Sequence, residues 1–205
     1  MTDSNPWLVG PTNPAEPAPT PPPPVTRREV RLGPVAPQPG VPTPDIADRL
    51  PQTVAHWPAT VWWLGVHGGA GETTLAALAG GTRSAGHAWP MPTTPGRPSR
   101  VVLVARTNYS GLTAAQRAAT EWASNALGDA VQVAGLVLMP DAPGKRPRPL
   151  RDLEQVVAGG VPRVWTMPWV EAWRIAPARP GDAPPKEFRA LFSDLSLTSS
   201  NPALS

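Results

Sequence analysis

Apolar residues in this chain gather in short continuous runs bounded by glycine or proline: Thr60–Val66 (TVWWLGV), Arg100–Ala105 (RVVLVA), Val131–Met139 (VQVAGLVLM) and Pro162–Met167 (PRVWTM). Runs of this kind predict strands buried on both faces, as in parallel sheets. Between them the period changes. LAALAGG reads as a short helix closed by Gly80 and Gly81. TNYSGLTAAQRAATEWASNALG reads as a longer one, with Ala115, Ala118, Ala119, Trp122 and Ala126 on one stripe, Thr113 and Gln116 spaced as a capping box, and Gly128 at its end. LRDLEQVVA has Pro149 in its first turn and Gly159 and Gly160 beyond its last. An amphipathic helix over Pro185–Leu195 places Phe188, Leu191, Phe192 and Leu195 together. The β-α-β-α-β-α-β order predicts an α/β fold: a reduced parallel sheet of about four or more strands with flanking helices.

Proline divides the chain. Pro and Gly make up 49 of 205 residues, and 16 of the 31 prolines fall between Pro6 and Pro58, including the run PTPPPP at Pro19–Pro24. That density excludes helices and central strands and favours extended, polyproline-like chain. Three regions are expected: residues 1–53 as a disordered Pro-rich arm, 54–177 as the α/β domain, and 178–205 as a C-terminal helix with a loose Ser-rich tail. The stretch 81–99, broken by Pro90, Pro92, Pro95 and Pro98, reads as one long connection.

With no Cys, the chain has no disulfide framework, thiolate metal site or thiol nucleophile, and its three scattered His argue against a His-based metal site. No apolar run approaches the roughly 18 residues that span a bilayer, and the N-terminus lacks a secretory pattern, so a cytoplasmic location is expected. The net charge of +3 comes from 16 Arg and 2 Lys against 15 acids. The bias toward Arg, Ala, Pro and Gly is that of a GC-rich bacterial coding sequence. Lys145, Arg146, Arg148 and Arg151 cluster in a Pro-interrupted loop, which opens the reading of a basic nucleic-acid-binding module, with a solvated loop as its alternative. Trp165, Trp169 and Trp173 surround Pro168, either packing the sheet edge against the C-terminal helix or forming a surface for a protein partner.

The segment of sharpest chemistry is VHGGAGETTLAAL, Val66–Leu78: a strand, a Gly-rich turn, and a helix opening with Thr. Such a turn converges backbone N–H groups on a phosphate. It resembles the deviant P-loop of the ParA/MinD family of ATPases, Lys-Gly-Gly-x-Gly-Lys-Thr-Thr. Gly68, Gly69, Gly71, Thr73 and Thr74 match, and Ala70 fills the variable place. The resemblance implies a P-loop NTPase-like fold and a site for ATP or GTP with magnesium.

Two positions reverse the chemistry. His67 stands where the family has its signature Lys, and Glu72 stands where the family's P-loop Lys reaches the β- and γ-phosphates. One charge pair about 4 Å apart at an effective dielectric near 20 is worth roughly 4 kcal/mol, so exchanging attraction for repulsion costs up to about 8 kcal/mol before screening. After the second strand the family carries an Asp that helps hold magnesium, where this chain has Ala105, Arg106 and Thr107. Arg106 is the accessory cation that could serve an anion in place of the Lys. The third strand aligns in two ways: as the switch strand, which makes Asp141 the family's acid, or as a later strand, which lacks the family's adenine-contacting Asn. The expected function is that of a degenerate, non-catalytic member acting as a binding or assembly partner in a partition, conjugation or secretion type of setting. The alternative is a divergent NTPase with an altered loop.

Overall fold

The computed structural model describes residues 33–198. Its centre is a five-stranded, all-parallel sheet made of β2 (Val61–Gly65), β3 (Thr82–Ser84), β5 (Ser99–Arg106), β6 (Val131–Met139) and β7 (Val164–Thr166), in the order β3-β2-β5-β6-β7. A separate two-stranded parallel sheet pairs β1 (Gln52–Ala55) with β4 (Trp89–Pro92). Four helices complete the fold: α1 (Glu72–Leu78), α2 (Tyr109–Ala123), α3 (Arg148–Ala158) and α4 (Lys186–Asp194). The four continuous apolar runs are thus β2, β5, β6 and β7, and the α/β expectation holds.

Strand alternation sorts the core into two layers. Trp62, Leu64, Val101, Leu103 and Ala105 face α2 and α3, while Val61, Trp63, Val102 and Val104 face α1 and α4. Because both faces are covered, β2 is buried along its whole length, which is why its sequence shows no polar alternation. Between Val101 and Val102 the β5–β6 register shifts by one residue, and Gly135 follows the bulge at φ +154°. A Cβ there would lie 2.5 Å from the Trp165 ring, so glycine lets β7 close over the bulge.

Two expectations are corrected here. The Pro-rich arm does not run to residue 53: residues 33–50 form a strap across α2, with Gln38 N–H donating to Ala123 O at 2.8 Å and Leu50 N–H to the Glu121 carboxylate at 3.0 Å. The strap then pairs as β1, an exposed strand that loses little by its flanking prolines. The Pro19–Pro24 run lies outside the described residues, as does the Ser-rich tail beyond 198. The stretch 81–99 is not one long connection, because it contains β3 and β4. The C-terminal helix packs as its apolar stripe predicts: Phe188, Leu191 and Phe192 of α4 are fully buried beneath the sheet. Among the described residues no helix is long and apolar enough to cross a membrane.

Candidate functional site

β2 delivers the chain to the C-terminal edge of the sheet, where the glycine-rich loop turns it into α1. Gly69 (φ +73°) and Gly71 (φ +108°) hold left-handed conformations, and a Cβ on Gly71 would also press the Met139 side chain at 3.2 Å. Ala70 is buried, Gly68, Gly69 and Thr73 are exposed, and Thr74 is half-buried.

Glu72 is turned back beneath this loop. It is only 6% exposed; its Oε2 accepts from the Gly71 N–H at 3.0 Å, and its Oε1 lies 3.9 Å from Nε2 of His87. His87 Nδ1 sits 2.8 Å from Gly65 O. The carboxyl group packs so closely on Gly65 that a Cβ there would be 2.7 Å from Cδ. The Glu72 carboxylate therefore satisfies the loop's own backbone.

His67 is half-buried at the start of the loop. Its Nε2 accepts from the Arg106 N–H at 3.0 Å, which leaves the proton on Nδ1, 2.9 Å from Gly68 O. Arg106, at the end of β5, donates from Nε to Gly69 O at 2.9 Å and from Nη1 to Pro140 O at 2.6 Å. The guanidinium thus ties the loop to the end of β6. Next to it the Thr107 hydroxyl donates to Asp141 Oδ1 at 2.6 Å, and the Asp141 N–H returns a bond to Thr107 Oγ1 at 3.2 Å. Asp141 lies in the bend just after β6, a strand separated from β2 by β5. The structure gathers His67, Glu72, Arg106 and Asp141 around one loop, and each is engaged with backbone or a neighbouring side chain.

Beside the loop opens a cleft of about 350 Å³, bordered by Thr74, Arg106, Met139, Pro168, Trp169 and Trp173. It lies at the carboxyl ends of parallel strands, where open α/β sheets bind ligands. Glu171 holds its outer wall, accepting from Trp169 Nε1 at 2.6 Å and pairing with Arg174 at 2.9 Å. On the same edge Tyr109 and Ile175 are 70% and 89% exposed.

The basic loop is partly neutralised. Arg146 pairs with Glu154, and Arg148 lies 3.8 Å from Asp152. The tryptophans follow the packing alternative in two cases of three: Trp165 donates to Asp194 on α4 at 2.9 Å, and Trp173 meets Phe188 edge-on at 5.1 Å. Trp169 remains at the cleft. Sequence reasoning missed Glu121, which is 1% exposed and accepts from both Leu50 N–H and Trp89 Nε1. Its signal was present: a lone carboxylate three residues after Ala118, within the apolar stripe of α2. His87 was hidden inside the supposed connection.

No curated protein and no solved structure matches the chain. One family model matches residues 59–191, from just before β2 into α4. That stretch takes in the sheet, the glycine-rich loop and the cleft beside it, and on it the chain belongs to a family of unknown function (DUF6668).

Proposed function

We propose that the chain is a degenerate, non-catalytic relative of the ParA/MinD ATPases that works as a binding or assembly partner of another protein. The observation that carries this reading is the state of Glu72: a buried carboxylate bonded to the loop N–H of Gly71, in the place where a phosphate-binding loop needs a Lys. The remaining donor set does not fit a magnesium-bound triphosphate. Arg106 spends two of its five N–H groups on carbonyls of the loop and of Pro140, and Asp141 is bonded to Thr107. A phosphate placed at the loop would meet a negative charge already installed there. The exposed Tyr109 and Ile175, with Trp169 between polar neighbours, offer apolar anchors of the sort that protein interfaces use.

Calorimetric titration with ATP and GTP plus magnesium, up to millimolar nucleotide, tests the reading on the natural chain and on Glu72→Lys. The natural chain is expected to give no binding heat, and the variant to bind, because one substitution turns repulsion into attraction across the same loop. Micromolar binding by the natural chain would overturn the non-catalytic reading and make hydrolysis the next assay.

A further inference from the structure

Two strands stand apart from the main sheet, and the way they pair leaves one edge open. β1 and β4 run in the register Gln52↔Trp89 through Ala55↔Pro92, and the Trp89 N–H donates to Pro51 O at 2.8 Å. Pro90 and Pro92 have no N–H to give, so the ladder runs through Trp89 and Met91 of β4 and through Pro51, Thr53 and Ala55 of β1. Gln52 and Val54 therefore turn their N–H and C=O groups to the opposite side, where among the described residues no strand pairs with them. Natural sheets cover such an edge or blunt it with charge, proline or a bulge. Two prolines blunt the β4 side of this pair. The β1 side has no such protection: Gln52, Thr53 and Val54 are exposed, Val54 at 52%, and residues 50–55 carry no charge.

We propose that the open edge of β1 pairs with the same edge of a second copy of this chain, antiparallel about a two-fold axis at Thr53, to make a four-stranded β4-β1-β1-β4 sheet across two molecules. The strand is complementary to itself in this register. Gln52 of each chain opposes Val54 of the other, and each such pair exchanges two N–H···O bonds, so every outward group of the strand is satisfied. Thr53 meets Thr53 of the second copy in the closer, non-bonded pairing, and Thr–Thr is a favourable cross-strand pair. The Leu50 N–H is already given to Glu121, which ends the ladder at the strand's own length. With no charge in residues 50–55, nothing repels across the axis, and a charged foreign strand would find no counter-charge. Because Pro90 and Pro92 close the far side of β4, assembly stops at two copies and does not grow into a fibre. An edge this short buries less than the roughly 1,200 Å² of a standard interface, so the dimer is weak, with a Kd on the order of 100 μM.

Sedimentation of the full-length chain from micromolar to millimolar concentration should show its mass rising from 21.6 kDa toward twice that value. Val54→Pro removes an outward N–H while Thr53 and Ala55 keep their bonds to β4. It deletes two of the four bonds across the axis and should weaken the dimer by at least about tenfold. Cysteine substitution reads the register, because the chain has no Cys of its own. With diamide as oxidant, Thr53→Cys should give a disulfide-linked dimer, since the two positions face each other about 4.5 Å apart between Cα atoms. Val54→Cys should stay largely unlinked, since its two positions are offset along the strands by more than about 7 Å. The proposal is overturned if the natural chain stays monomeric at millimolar concentration, or if a folded Val54→Pro chain dimerises as the natural one does. It is equally overturned if Val54→Cys links as fast as Thr53→Cys, a comparison that decides the matter alone should Val54→Pro not fold.

Discussion

Glu121 shows how one side chain decides the position of two others. Its Oε2 receives the Leu50 N–H and the Trp89 indole N–H, and the carboxylate itself is 1% exposed. Glu121→Ala leaves the buried Trp89 indole N–H and the half-buried Leu50 N–H without this acceptor, at about 1–3 kcal/mol for the first and less for the second. Urea unfolding should accordingly show a loss of roughly 3 kcal/mol, while Glu121→Gln, which can present an amide oxygen to the same two donors, should lose less than about 1 kcal/mol. Equal losses in the two variants would mean that packing and not hydrogen bonding sets the cost. The glycine-rich loop was legible at this scale in its backbone requirements but not in its side-chain directions. Gly69 and Gly71 declare positive φ by being glycine, whereas nothing local tells that Glu72 folds back onto Gly65 and His87. That placement depends on β3 and on the turn after it, and these were not foreseen.

Among the elements, those built on long periodic runs were readable and those built on pairing were not. β5 and β6 announce themselves by uninterrupted Val and Leu. β3 and β4 are three and four residues long, and β4 contains two prolines, so their existence rests on neighbours supplied by distant chain. The start of α2 is a case of competing caps. Thr113 and Gln116 have capping-box spacing, but the helix begins earlier, at Tyr109, because the Asn108 side chain accepts the Gly111 N–H at 2.8 Å. The attachment of α4 depends on Asp194, which pairs with Arg163 at 2.6 Å and accepts from the Trp165 indole. Both bonds are half-exposed, so Asp194→Ala should cost only about 1–2 kcal/mol. Hydrogen exchange should show the loss as faster opening confined to α4 and β7. Uniform acceleration across the sheet would show instead that α4 opens only with the whole fold.

For the whole molecule, the boundary of interest lies near residue 59. The family match begins there, yet the strap and β1 before it supply Leu50 to Glu121 and the partner strand to β4. A chain starting at residue 59 should still fold, since both core layers lie within the retained stretch, but with a Tm lower by roughly 5–10 °C, the equivalent of about 2–3 kcal/mol for a domain of this size. An unchanged Tm would show that the strap rests on the domain without stabilising it.

The two core layers also have an optical consequence. Trp63 lies in the layer covered by α4, Trp89 and Trp122 lie in the layer covered by α2 and α3, and Trp57 faces water. Indole emission shifts to longer wavelength on contact with water, so one folded sample glows from three environments at once. A soluble quencher would darken Trp57 first, and separation of α4 alone would redden the light of Trp63 while Trp89 and Trp122 kept their colour.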